Sequence, residues 1–221
     1  MRSSSEITGS LFGGHEETRQ EDLAPGAILL RGFVAPREAA ILPALWKIVE
    51  QAPFHHMITQ GGFRMSVAMT NCGALGWVTD RTGYRYDSLD PASGLPWPAM
   101  PPVFTELAAR AASQAGFSAF VPDACLVNRY EPGAKMSLHQ DKDEQDFTQP
   151  IVSVSLGISA VFLFGGCKRT DKAQRVKLSH GDIVVWGGPA RLRYHGVLAL
   201  KEAHHPLVGG CRINLTFRKA G

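Results

Sequence analysis

The sequence predicts a mainly β protein, a sandwich or jelly roll entered through helices. Three observations carry this. From Leu126 to the C-terminus, short alternating runs follow one another closely, broken by Gly, Pro and charged turns. Helical periodicity is confined to two upstream stretches, one after Pro36 and one over 102–116. The last run alternates strictly: Ile213, Leu215 and Phe217 against Arg212, Asn214, Thr216 and Arg218.

A chain of 221 residues suits one domain with a substantial core, and 44% hydrophobic residues with a mean hydropathy of −0.07 suit a soluble globular protein. No run approaches the roughly 18–20 apolar residues of a membrane span. Met1–Gln20 is polar and lacks an apolar stretch, which argues against secretion and for the cytoplasm. Cys72, Cys125, Cys167 and Cys211 are scattered and read as reduced, mostly buried thiols rather than a zinc site. A net charge of +3 permits a nucleic-acid partner without arguing for one.

Residues 1–22, with Ser3-Ser4-Ser5 and a charged run, read as a disordered tail, and 23–221 as the single domain. Ala27–Phe33 is a first strand. Pro36 opens a helix with Ile41, Leu45, Ile48 and Val49 on one face, and Pro43 makes it begin late or bend. Residues 54–102 are rich in Gly, Met, Thr and aromatics, with a strand over Met65–Thr70 and glycine hairpins. This stretch reads either as a β-extension whose aromatics pack, or as a lid whose Met and Trp surfaces receive a flat substrate. Pro102–Gly116 is a second helix with Pro at its start and Gly past its end. Strands are then expected over 126–130, 152–156, 160–164, 176–178, 182–186, 191–195 and 211–218.

The chemistry centres on 126–144. A strand meets the Pro132-Gly133 turn, and the chain then presents His139 and Asp141. In extended chain, residues two apart share a face, so an imidazole and a carboxylate would point the same way. That is two-thirds of a 2-His-1-carboxylate iron site. His180-Gly181-Asp182 repeats the spacing, but its central glycine between two strands reads as a turn. The third ligand is to be sought among His195, His204 and His205. Two arginines on the polar face of the last strand are costly to bury unless anions meet them, and they suit a small dicarboxylate.

At this point the chain resembles the 2-oxoglutarate/Fe(II) dioxygenases, and specifically the AlkB family of alkylated-nucleic-acid demethylases, close to its bacterial subgroup. The matching segments are MSVAMTNCG (65–73), LGWVTDRTGYRY (75–86), PWPAMP (96–101), PDACLVNRYEPGAKMSLHQDKDE (122–144), PIVSVSLG (150–157), HGDIVVWGG (180–188), RLRYHG (191–196) and CRINLTFR (211–218). The resemblance implies a double-stranded β-helix with 54–102 as a nucleotide-recognition lid. It implies Fe(II) on His139, Asp141 and His195. It implies 2-oxoglutarate on Arg212 with Asn128 and Tyr130, and on Arg218 with Asn214, leaving open which arginine takes which carboxylate. Trp77 and His139 would sandwich a flipped base and Asp143 would meet its amino edge. Tyr84, Met65, Met69 and Thr59 would line the lid, and Lys135, Lys142, Lys168 and Arg169 would meet phosphates.

The implied reaction couples decarboxylation of 2-oxoglutarate by O2 to hydroxylation of an N-methyl group. The resulting hemiaminal loses formaldehyde. The implied partner is alkylated single-stranded DNA, with double-stranded DNA and RNA as further candidates, acted on by a monomer without a membrane. Three alternatives stay open: an oxygenase acting on protein or small molecules, a non-catalytic nucleic-acid-binding barrel, and a zinc hydrolase on the same ligands.

Overall fold

The computed structural model describes residues 19–221. Most of the expected tail, residues 1–18, lies outside them. Its end is not a tail: Gln20–Ala24 forms strand β1, paired antiparallel with β2 (Ala27–Leu30). Glu21 anchors it through a 3.0 Å ion pair to Arg31, and Leu23 and Ala24 pack on the core. Tail-like charge density concealed an edge strand.

Helix α1 (Glu38–Gln51) follows a short 3-10 turn at Ala35–Arg37 and runs on through Pro43. It buries Ile41, Leu45 and Ile48, while Val49 is only partly covered. Strand β3 (Ala68–Gly73) begins three residues later than the alternation from Met65 suggests, because Ser66 and Val67 form a bend. β4 (Gly76–Asp80) and β5 (Gly83–Asp87) form a separate two-stranded hairpin. Helix α2 (Pro102–Gln114) buries Phe104, Leu107, Ala108, Ala111 and Ala112.

Eight strands complete the chain: β6 (Ala124–Tyr130), β7 (Met136–His139), β8 (Ile151–Gly157), β9 (Ala160–Phe164), β10 (Gln174–Leu178), β11 (Ile183–Trp186), β12 (His195–Val197) and β13 (Arg212–Arg218). They sort into a seven-stranded sheet, β1-β2-β11-β8-β13-β6-β3, and a four-stranded sheet, β10-β9-β12-β7. The ladders are antiparallel. The result is the expected mainly β jelly roll.

Two apolar cores make three layers. The helices cover one face of the large sheet, where Phe104 meets Phe217 edge-on at 5.9 Å. The other core, with Phe162, Phe164 and Trp186, lies between the sheets. β13 sits between β8 and β6, so its two faces serve different layers. Ile213, Leu215 and Phe217 join the helix-side core. Arg212, Asn214, Thr216 and Arg218 point between the sheets and are buried, so that polar face is not solvated.

The strand expected over 191–195 does not form. A 3-10 turn at Gly188–Ala190 continues into turns closed by Arg191 N–H to Gly188 O and Arg193 N–H to Ala190 O. His195 therefore opens β12 rather than closing a strand. The thiols are free, but only Cys72 and Cys125 are buried; Cys167 is exposed and Cys211 intermediate. No described helix is long and apolar enough to cross a membrane.

Candidate active site

The site lies where β7 meets β12. Their register sets His195 opposite His139. Gly196 permits this approach: a Cβ there would sit 2.7 Å from the Met136 carbonyl oxygen. Asp141 lies just past the end of β7, in irregular chain rather than on the strand, yet it reaches the same point. Ligand atoms of His139, Asp141 and His195 all lie within 4.8 Å of one another. Asp141 Oδ1 is 3.6 Å from His139 Nε2 and 3.7 Å from His195 Nε2. Both Nδ1 atoms are engaged by backbone carbonyls, of Ser137 at 2.8 Å and Arg193 at 3.1 Å, which leaves Nε2 as the free donor on each ring.

The other two candidate histidines lie elsewhere. His205 stacks on His180 at 4.1 Å, and His204 is exposed. The second His-x-Asp copy is a turn: Asp182 accepts from the N–H groups of Gly32 and Ser179 and from Arg31.

Three hydrogen bonds hold Asp141 at two of its oxygens. Arg218 donates from Nη2 (2.6 Å) and Nε (3.0 Å) to Oδ2, and Arg191 Nη1 donates to the Asp141 carbonyl (2.8 Å). Burial alone would raise the carboxyl's pKa, but the charges of Arg218, His195 and His139 outweigh it and hold Asp141 well below the usual carboxylate range. His195 is pushed down to about 4, chiefly by burial and then by His139, so its ring is a neutral donor near pH 7. Two imidazole nitrogens and one carboxylate oxygen facing each other fit a non-haem Fe(II) centre.

Behind the trio is a narrow slot of about 50 Å³ lined by Asn128, Tyr130, Arg212, Asn214 and Arg218 among others. Arg212 is 1% exposed. Its Nη2 donates to Ser155 Oγ at 2.9 Å, and its guanidinium sits 5.0 Å over the Tyr130 ring. Among the described residues its Nε and Nη1 have no hydrogen-bond partner, and neither does Asn128 Oδ1. A buried cation with two orphaned donors is expensive by itself and fits an incoming carboxylate. Arg218 differs, being already committed to Asp141 and to Glu144, 3.2 Å from its Nε.

In front of the trio is a cavity of about 500 Å³. It brings together the residues expected for a substrate: Thr59, Met65, Met69, Trp77, Tyr84, His139, Asp143, Lys135, Lys142 and Arg169. Lys168 lies outside this lining. Trp77 and Tyr84 stack at 5.6 Å with 21° between their planes. The buried Asn71 fixes Trp77, accepting its N–H at 3.0 Å and donating to its carbonyl at 3.1 Å. Trp77 Nε1 donates to Asp143 Oδ2 at 2.8 Å.

The sequence model of the 2OG-Fe(II) oxygenase superfamily matches residues 26–218. The chain is 58% identical over 201 residues to the alpha-ketoglutarate-dependent dioxygenase AlkB of Salmonella typhimurium, covering 91% of this chain and 93% of that protein. It is 57% identical to the protein of that name from Escherichia coli K12, covering 93% and 95%. The chain belongs to the AlkB family. Its fold also superposes on the structure of OsALKBH1 with a TM-score of 0.78 at 31% identity, covering 91% of this chain and all of that one. This AlkB-family protein is therefore a dioxygenase using Fe(II), 2-oxoglutarate and O2.

Three site residues escaped sequence reasoning. Glu144 is buried and bonded to Tyr86 and Arg191, but in Asp-Lys-Asp-Glu-Gln-Asp nothing separates it from its solvated neighbours. Arg191 was legible only as a strand residue beside His195, not as the clamp on the Asp141 carbonyl. Tyr86 lay in a segment that resembles the AlkB family, with no spacing signal of its own.

Proposed function

We propose that this enzyme oxidatively demethylates N-alkylated bases, 1-methyladenine and 3-methylcytosine in particular, in DNA, preferring single strands and acting as a cytoplasmic monomer. The observation that carries the reading is the outer cavity, whose lining holds the Trp77–Tyr84 stack together with His139 and Asp141 of the trio. A flat base fits between aromatic faces, and stacking favours an unpaired nucleotide. The relatives are named as dioxygenases or as nucleic-acid demethylases, among them the tRNA demethylase of Schizosaccharomyces pombe, which makes RNA a second substrate to test.

In this reading His139, Asp141 and His195 would hold Fe(II), which would supply the activation of O2 with 2-oxoglutarate as the two-electron reductant. Arg212 takes the far carboxylate of 2-oxoglutarate with its two orphaned donors, beside Asn128 and Tyr130. Arg218, with Asn214, borders the metal end and keeps Asp141 ionised and fixed. Trp77 and His139 bracket the base, Tyr84, Met65, Met69 and Thr59 shape the cavity, and Asp143 offers a carboxylate to a base edge. Residues 54–102 act as the lid, which excludes water. Lys135, Lys142, Lys168 and Arg169 bring cations near the mouth for flanking phosphates.

The test is an anaerobic titration with Fe(II) and 2-oxoglutarate followed by visible absorption, then formaldehyde release in air. Methylated single-stranded DNA should outperform methylated duplex, RNA and methylated peptide. Formaldehyde from peptide alone would sink the reading.

A further inference from the structure

The recognition hairpin and the metal ligand are joined by one continuous chain of polar contacts, part-buried at Tyr86 and buried from Glu144 to Asp141. Trp77 and Tyr86 are directly opposed in the β4–β5 register, so both side chains leave the hairpin on one face. They reach adjacent residues of the loop after β7. Trp77 Nε1 meets Asp143, and the Tyr86 hydroxyl donates to Glu144 Oε1 at 2.7 Å. From Glu144 two arginines continue to Asp141. Arg218 lies 3.2 Å from Oε1 and grips the Asp141 carboxylate; Arg191 donates to Oε2 at 3.0 Å and grips the Asp141 carbonyl.

Neutralising two buried arginines explains why Glu144 and Asp141 are acidic. It does not explain the Tyr86 hydroxyl, which adds a donor to an already paired carboxylate. Burial pushes this phenol's pKa well up, so it remains a donor throughout the working range. Glu144, Arg191, Arg218 and Asp141 are buried, and polar contacts among buried groups are strong and direction-dependent. A shift of the hairpin must either break this hydrogen bond or move Glu144, and with it both grips on Asp141.

We propose that Tyr86 and Glu144 are positioning residues that couple occupancy of the outer cavity to the geometry of the metal ligand Asp141. The inference rests on the reading of that cavity as a nucleotide site. Because coupling between two binding events is reciprocal, a base analogue should tighten the Fe(II)–2-oxoglutarate complex by the same factor as that complex tightens the base.

The decisive variant is Tyr86→Phe, which removes one hydroxyl and keeps the ring. Anaerobic absorption titrations of Fe(II) and 2-oxoglutarate are run with and without a short single-stranded oligonucleotide carrying 1-methyladenine. Wild type should show mutual tightening of about five-fold or more. Tyr86→Phe should keep each affinity measured alone and lose the tightening; Glu144→Gln should lose it as well. Equal tightening in a folded Tyr86→Phe protein, or none in wild type, overturns the coupling. A protein that forms the absorbing complex but binds no methylated oligonucleotide overturns the substrate reading, and the coupling with it. Should Tyr86→Phe not fold, hydrogen exchange on wild type decides. Fe(II) with 2-oxoglutarate, without nucleic acid, should slow exchange of the 76–87 amides, and unchanged exchange overturns the link.

Discussion

Arg218 places two hydrogen bonds, of 2.6 and 3.0 Å, on the same oxygen of Asp141 and leaves the other oxygen facing His139 and His195. One carboxylate oxygen is thereby assigned to the protein and one to the metal. Asp141→Ala should abolish Fe(II) binding, and because Arg218 keeps Glu144 as a partner it should cost less than the ~3–5 kcal/mol of a fully broken buried pair. Asp182→Ala is the control. It orphans the N–H groups of Gly32 and Ser179, at about 1–3 kcal/mol each, yet should bind iron normally. A stable Asp182→Ala protein that has lost iron would reverse the assignment.

Arg212→Ala should raise the 2-oxoglutarate requirement by about two to four orders of magnitude, the equivalent of roughly 3–5 kcal/mol for a buried charge pair. The same substitution removes a buried cation with two orphaned donors, so the ligand-free melting temperature should hold or rise. A steady-state 2-oxoglutarate titration and a thermal melt check both halves. An unchanged requirement removes Arg212 from the site.

Asp143→Asn isolates charge from shape. The amide oxygen can still accept from Trp77 Nε1, so the hairpin contact survives while the negative charge is lost. Iron binding, 2-oxoglutarate binding and uncoupled decarboxylation should persist. Demethylation of cationic 1-methyladenine and 3-methylcytosine should fall more than that of neutral 1-methylguanine and 3-methylthymine. Parallel loss on both classes, with iron retained, argues against electrostatic discrimination.

Acid stability should report His195. Its folded pKa, about 4, lies below the 6.5 of an ordinary histidine because the ring is buried. Between those values the unfolded chain binds the extra proton, so ligand-free stability should rise with pH across this window and level off above it. His195→Gln should flatten that rise in a series of thermal melts. A wild-type slope surviving in the variant would place the titrating group elsewhere.

How much was legible follows physical lines. The alternation of β13 revealed both of its faces, because a two-residue period survives wherever a central strand divides two layers. His139 and Asp141 were legible as a pair although Asp141 leaves the strand, since two residues of extended chain suffice to bring them together. The 191–195 segment misled, because hydrogen bonds from Gly188 and Ala190 curl it into turns that its alternation hides. Glu144 was invisible, since its burial depends on three partners from distant parts of the chain: Tyr86, Arg191 and Arg218.

The orphaned guanidinium of Arg212 also makes the protein's endurance depend on supply. A ligand that binds only the folded chain protects it by mass action, and the protection vanishes once its concentration falls well below the dissociation constant. With Arg212 taking 2-oxoglutarate as proposed, a fall in its concentration should leave two buried donors unpaired and lower the melting temperature.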